Sequence, residues 1–571
     1  MDAFSSNFLS PFTLSNTRLH VWPPVNKNPS TIHISKTRSS LRNNEEKPIR
    51  RIGSSLSARV LNAFDDIINK FIDPPVLRPS VDPRLILTDN FAPVDELPPS
   101  ECELIFGHLP ECLDGAYIRN GPNPQFIPRG PYHHFDGDGM LHAIRISNGR
   151  ATLCSRYVKT YKFSVEREIG GPVFPNILSD FYGLFGSVSR VALAIGRILA
   201  GQFNPMNGIG LANTGIALIS GRLYALCESD LPYAVKISPV NGDVVTIGRH
   251  NFGGKLFTNM ASHPKIDPET KDTFVYRYSL VYPFLTYFRF DPDGNKQPDV
   301  PIFSVKIPSL FHDFAITKKY AIFVDIQIGF TPLELIFGSG SPIGVDPRKV
   351  SRIGIIPRYA TNDAEMRWFE VPGLNSMHSV SAWDEDGGES VVMVVANIIS
   401  PEHMSGRMDL AYTQLQKATI DMRNEIVCLH TLATSNLELG VINPNYIAKK
   451  IRYVYASIED PMPKITGLVK LDISLSETDC KDCTVASRMF GPGCYGGEPF
   501  FVAKEPDNPM ADEDDGYLIT YVHNENTKES KFLVMDAQSS FLDIIAMVKL
   551  PQRVPYGFHG LFVRENDIKN F

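Results

Sequence analysis

A chain of 571 residues, 43% apolar and 21% charged, has the makeup of a globular protein with one very large domain or several ordinary ones. Its net charge of −7 gives no electrostatic case for a nucleic-acid partner. Eight irregularly spaced cysteines are too few for a disulfide framework, and Cys480–Cys483, the one CxxC pair, reads as a surface loop.

Residues 1–50 form a first unit. Ser and Thr are dense there, Arg18, Lys27, Lys36, Arg38 and Arg42 recur, and Asp2 is the single acid before Glu45. That is the composition of an organelle transit peptide, and the excess of Ser and Thr over Arg favours a plastid (chloroplast or chromoplast). Residues 51–80 form a second unit, a helix followed by a linker. Over 54–73, Leu56, Val60, Leu61, Phe64, Ile67, Ile68 and Phe71 fall near one helical face, with Asp65, Asp66 and Lys70 elsewhere. Such a helix either docks on the body or lies on a membrane.

From 81 to 571 the texture is that of short strands. RLYALCE, FVYRYSLVY, YAIFVDIQI, SVVMVVANI, YVYASI, GYLITYVH and KFLVMD are rich in β-branched and aromatic residues, and PVNGD, DPDGN and DEDGGE are turns of hairpin type. An all-β fold of this length suits a β-propeller, in which seven blades of four strands would each take roughly 70 residues. A large barrel or paired sandwiches fit the pattern as well. Residues 171–208 break it with a glycine-punctuated apolar run, interrupted by Arg190 and Arg197 and too short of uncharged residues to span a bilayer. It reads either as an insertion buried in the core or as a segment lying in one leaflet, with Phe181, Phe185, Val188, Leu193 and Ile198 as anchors. Residues 327–344 pose the same choice.

The chain has no GxxxxGK[ST], no HExxH and no GxSxG, and the glycines Gly338, Gly340 and Gly344 do not have dinucleotide-binding spacing. In HHFDGDGMLH, residues His134, Asp136 and His142 could be drawn as a two-His, one-carboxylate iron site, although the Asp-Gly-Asp-Gly core predicts a tight hairpin turn. The stronger candidates are four scattered histidines, His263, His312, His378 and His559. Phe311, Met377 and Phe558 precede three of them, and Pro264, Gly557 and Gly560 lie close by, as suits ligands at strand ends beside an apolar cavity. If they converge, they make an all-imidazole site open to iron, copper, zinc or nickel. Glu228, Glu438 and Glu498 each sit in an apolar or turn context. They are candidates for carboxylates that orient the imidazoles and nearly balance a dication.

The strings GAYIRNGPNPQF, HHFDGDGMLHA, GRLYALCESDLPY, NMASHPK, FHDFAIT, NSMHSVSAW, YGGEPFFV and VPYGFHGLFV, in this order, resemble the carotenoid cleavage dioxygenases from about residue 80 onward. The run 441–474 and the ending LPQRVPYGFHGLFVREND resemble the plant plastid class numbered four. The resemblance implies a seven-bladed propeller capped on its top face, with one Fe(II) held on the axis by His263, His312, His378 and His559. It implies Glu228, Glu438 and Glu498 behind these ligands. It makes HHFDGDGMLH a scaffold and cavity element. The implied reaction is oxidative cleavage of a carotenoid by O2, at 9,10 (9′,10′), in an apolar tunnel with Phe558, Met377 and Phe135 near the iron. Peripheral contact with thylakoid or plastoglobule lipid through Phe181, Phe185 and Val188 goes with such a substrate. The alternatives are cleavage at 7,8 or 11,12 (9-cis-epoxycarotenoids), isomerisation on the same fold, or a non-catalytic carotenoid-binding lipid-droplet protein.

Overall fold

A computed structural model describes residues 56–571 apart from 177, 331–342, 405 and 479. The expected leader and the middle of the 327–344 excursion lie outside these residues. Each of the seven predicted β runs is a strand. Arg222–Leu226, Thr273–Tyr278, Tyr320–Asp325, Ser390–Ile398, Tyr453–Glu459, Gly516–Asn524 and Glu529–Asp536 are their observed cores. The three predicted turns join Tyr233–Ile237 to Val244–Arg249, Leu285–Phe290 to Val300–Pro301, and Ser376–Glu385 to Ser390–Ile398.

The strands form antiparallel sheets that follow one another along the chain. Four sheets have four strands each, and a fifth has five. A ten-stranded sheet contains two antiparallel meanders, one built on Tyr453–Glu459 and one on Gly516–Asn524, joined through Cys494–Gly496. Central strands such as Ser390–Ile398 are buried on both faces and read as continuous apolar runs, because neighbouring sheets cover each side. The two ends of the β domain close on each other. Gly560–Arg564 pairs with Gly115–Pro122, and Glu103–Gly107 pairs with Ile544–Lys549, so the terminal strands complete sheets begun elsewhere in the chain. This pairing leaves the last histidine candidate at the rim of the first sheet.

Two helices depart from the sequence expectation in a way that matters. The first, Leu56–Ile67, continues through one π turn at Ile68–Ile72, and it does dock. It docks through Ala58, Ile68 and its charge: Asp65 is buried with them, whereas Leu56, Val60, Ile67 and Phe71 are exposed. Within 171–208 only Leu184–Leu199 is an α-helix. It buries Arg190, Leu193 and Arg197 and exposes Phe185 (81%), Val188, Val191, Ile195 and Leu199 (82%). Leu193 therefore packs inward and is no surface anchor, and Phe181 is half-buried just before the helix. Arg197 Nη2 donates to Asp65 Oδ2 at 2.9 Å, and Arg190 lies within 4.0 Å of Asp65, Asp73 and Asp180. The pair is inverted relative to an ordinary surface helix, with ion pairs inside and apolar side chains outside. No helix among the described residues is long and apolar enough to cross a membrane.

The HHFDGDGMLH stretch also differs from expectation. Only its end joins a strand, Gly139–Ser147, and residues 131–138 form a loop. His142 Nδ1 is engaged by Ser155 Oγ at 2.8 Å, and Asp136 accepts from Ser179 and from the His133 N–H. Asp136 and His142 thus have separate partners, the His134 ring lies against Phe91, and the three make no common site.

Candidate metal centre

The four histidines come from four different sheets. His263 immediately precedes Lys265–Ile266 by one proline, His312 precedes Phe314–Ile316 by one aspartate, His378 is the third residue of Ser376–Glu385, and His559 directly precedes Gly560–Arg564. Each of these strands is the edge strand of its sheet. The edge strands contact one another around a common centre, Phe314–Ile316 against Ser376–Glu385 and Gly560–Arg564 against Gly215–Ile219. A residue entering such a strand therefore faces the middle of the ring, and spacings of many tens of residues collapse to a few ångströms.

One nitrogen from each ring lies within 4.8 Å of the others. They form the one such His/Cys/Asp/Glu group found among the described residues. The rings stand nearly edge-to-face, with centroids 4.3 Å apart for His263–His559 and 5.1 Å for His312–His378. Three of the four are held from behind by the predicted glutamates. His312 Nδ1 lies 2.5 Å from Glu228 Oε1, His378 Nδ1 lies 3.0 Å from Glu438 Oε2, and His559 Nδ1 lies 2.9 Å from Glu498 Oε1. An Nδ1–H donated to a carboxylate leaves the Nε2 lone pair free, and the Nε2 atoms are those that converge. His263 is the member with no carboxylate partner among the described residues. Its Nε2 lies 3.1 Å from that of His312.

The carboxylates are themselves fixed. Tyr278 Oη donates to Glu228 Oε2 at 2.9 Å, the Leu439 N–H to Glu438 Oε2 at 2.7 Å, and the Gly560 N–H to Glu498 Oε2 at 3.0 Å. Register shifts in Leu437–Val441 and in Ser376–Glu385 turn Glu438 and His378 toward each other. The glycines beside His559 allow close packing: a Cβ on Gly557 would lie 2.7 Å from the Asn120 carbonyl, and one on Gly560 would lie 2.5 Å from Tyr117 Oη.

Two contributors escaped the sequence reading. Asp313, directly after His312, accepts from the Ser379 N–H at 2.8 Å and pairs with Lys265 Nζ at 2.8 Å. It thereby ties the segments of His263, His312 and His378 together. Tyr278 holds Glu228. Asp313 had one signal, its adjacency to a candidate ligand; the pairing of Tyr278 depends on strand register, which no local string records.

The donor set fits a cation. Burial, followed by the neighbouring imidazoles, holds His263 far below the usual histidine range, so it is the neutral form a metal requires. At His378 burial opposes positive charge, but Glu438 outweighs it and pushes the group up to about 9. That site attracts positive charge, and its Nε2 is buried without a partner. Once a metal displaces the proton held at His378, four imidazoles backed by three carboxylates suit a divalent ion of the iron, copper, zinc or nickel kind.

An aromatic wall adjoins the cluster. The Phe135 and Phe558 rings meet edge-to-face at 5.3 Å, Phe558 being the neighbour of His559. Tyr556 stacks on Phe91 at 4.4 Å, and Phe91 contacts His134. Met377 packs against the core between Tyr320–Asp325 and Ser390–Ile398. On another side a cavity of about 190 Å³ is lined by His263, His559, Val441, Ile442, Phe500 and Phe501.

Comparison with known proteins places this geometry in a class. The family model described as retinal pigment epithelial membrane protein matches residues 91–564. The chain is 59% identical over 543 residues, 95% of its length and 90% of the relative's, to the probable carotenoid cleavage dioxygenase 4, chloroplastic, of Arabidopsis thaliana. It is 55% identical to the 9-cis-epoxycarotenoid dioxygenase NCED1, chloroplastic, of Oryza sativa subsp. japonica, over 90% of this chain and 81% of the relative. A crystal structure of a mutant Synechocystis apocarotenoid oxygenase superposes with TM-score 0.69 at 26% identity, covering 85% of this chain and 99% of that one. The chain belongs to the carotenoid cleavage dioxygenase family.

Proposed function

We propose that the protein is a non-haem Fe(II) dioxygenase of the plastid that cleaves a carotenoid double bond with O2, at 9,10 (9′,10′), to give apocarotenoid aldehyde or ketone products such as β-ionone. The observation that carries this reading is the convergence of four imidazoles, three of them backed by glutamates, beside an aromatic wall. Bound iron would supply the oxygen-activating chemistry, and His263, His312, His378 and His559 would hold it. The remaining work falls to the chain. Glu228, Glu438 and Glu498 hold their imidazole protons at Nδ1, so that the Nε2 atoms stay available. Phe135 and Phe558 pack against the polyene, exclude water and help to bring one double bond to the centre.

The sheets read as seven blades when the two meanders of the ten-stranded sheet are counted separately, with the histidines on the axis. The 9,10 position follows the likeness of residues 441–474 and of the C-terminus to the plant class-four enzymes. Residues 1–50 are read as the transit peptide, in keeping with chloroplastic relatives. The exposed apolar residues Phe185 and Val188 of helix Leu184–Leu199, with Phe181 beside them, are read as a surface resting on thylakoid or plastoglobule lipid, where so insoluble a substrate resides.

Expression in carotenoid-accumulating bacteria tests the proposal. Loss of colour with a C13 ketone and the matching apocarotenal supports cleavage at 9,10. Products of cleavage at 7,8 or 11,12 would reassign the bond. Intact or merely isomerised pigment with the iron bound would overturn the cleavage reading.

A further inference from the structure

A carboxyl group without a partner stands on the same sheet face as Glu438. In the antiparallel pair formed by Leu437–Val441 and Tyr453–Glu459, Ser457 lies opposite Glu438, and the Glu459 N–H donates to the Asn436 carbonyl at 3.0 Å. Side chains alternate along a strand, so Glu459, two residues past Ser457, shares the face on which Glu438 reaches His378. On its other side Glu459 pairs with Ile465, whose N–H donates to the Tyr556 hydroxyl at 3.1 Å. Tyr556 lies three residues before His559 in the stretch that also carries Phe558. Glu459 thus stands between the carboxylate behind one metal ligand and the aromatic strip that leads to another.

Glu459 is 6% exposed, and no hydrogen bond or ion pair engages its side chain among the described residues. Burial, then the nearby Glu438 charge, pushes it up to about 8. A glutamate in the loop before Gly516–Asn524 behaves differently: Glu513 accepts from the Arg452 and Tyr453 N–H groups. A buried carboxyl with nothing to bind is costly, and such groups are ordinarily satisfied. A hydrogen-bonding group brought to Glu459 by a bound ligand, on the side where Glu438 and Tyr556 are its neighbours, would relieve that cost.

We infer that Glu459 is a specificity-determining residue, its carboxyl forming a hydrogen bond to an oxygen function near the end of the polyene and so favouring hydroxylated carotenoids over hydrocarbon ones. The inference rests on the carotenoid-cleavage reading above. A hydroxyl group both donates and accepts, so it pairs with the carboxyl in either protonation state. A hydrocarbon end leaves the carboxyl unpaired, which penalises that substrate.

The test compares the iron-loaded wild type with Glu459→Leu and Glu459→Gln. The probes are β-carotene and its 3,3′-dihydroxy counterpart, zeaxanthin, in detergent micelles. Selectivity is read twice: as the ratio of kcat/KM in air, and as the ratio of Kd under anaerobic conditions, where no cleavage follows. Wild type should prefer the dihydroxy polyene. Glu459→Leu should reduce that preference about 10-fold, through weaker use of zeaxanthin with β-carotene unchanged or improved. Glu459→Gln, similar in shape and able to donate, should keep most of it, and it guards against a leucine variant that misfolds. Equal ratios in all three proteins, or an equal loss for both polyenes, would overturn the inference. A wild type that binds selectively in the anaerobic assay yet cleaves neither polyene would defeat the cleavage reading while leaving the role of Glu459 standing.

Discussion

The histidine cluster and the helix pair both bury charge, and they do so to opposite ends. At the cluster, three glutamates sit behind three of the imidazoles, and their negative charge favours positive charge at the point where the four rings meet. In the helix pair, Arg190 and Arg197, together with Arg78 on Asp73, are matched by Asp65, Asp73 and Asp180, so the charges balance and demand no ligand. What the helix pair leaves unmet is its outer surface, where Phe185, Val188, Ile195 and Leu199 face outward. Buried charge of one sign with an unpartnered lone pair marks a binding site; buried charge in balance acts as a clamp, and the exposed apolar face beyond it becomes the feature to explain.

The sharpest break in this comparison is His378→Ala. Stoichiometric iron and all cleavage should vanish, measured by metal analysis and product formation, while the unfolding transition survives. Retention of full iron would remove His378 from the ligand set. Glu498→Gln keeps the shape behind His559 but removes the charge, and activity or iron affinity should fall about 10–100-fold. At the clamp, Arg197→Met takes the nearest cation from buried Asp65 and leaves it only Asn69 at 2.9 Å and Arg190 at 4.0 Å, so stability should drop by up to about 3–5 kcal/mol in denaturant titration with iron per folded chain unchanged. Phe185→Asp combined with Val188→Asp should release the protein from lipid vesicles in a flotation assay without altering iron content or stability. Unchanged flotation would sever the apolar face from membrane contact.

The smallest effect concerns pH. The raised native value of Glu459 means the folded state holds a proton that the unfolded chain releases. Stability from this group is therefore present below the unfolded carboxyl range and is lost as pH rises toward about 8. Glu459→Gln removes that slope, so its Tm should approach or exceed that of the wild type increasingly between pH 6 and 8, read by thermal melts across that range.

Much of this was legible locally. Strand positions followed from β-branched and aromatic runs between turn residues, because those signals act over a few residues. The four histidines and three glutamates stood out through their company: aromatic neighbours, glycines, and acids in apolar settings. The helix faces misled, since a 3.6-residue period shows that apolar residues share a side but not whether that side faces the protein or the solvent. For Leu56, Val60 and Phe71 the answer came from Asp65, whose partner Arg197 is 132 residues away.

By itself, the sequence determined a long β-rich chain, a distinct leader-like start, a candidate donor set of imidazoles backed by carboxylates, and a family likeness carried by ordered motifs. Only the tertiary structure decided that histidines 49, 66 and 181 residues apart meet within 4.8 Å, which glutamate stands behind which histidine, and that Glu459 is left without a partner. The reason is physical. Convergence on a common centre depends on how separate sheets pack and how the terminal strands close the ring, and these are properties of long-range register, which short stretches of sequence do not carry.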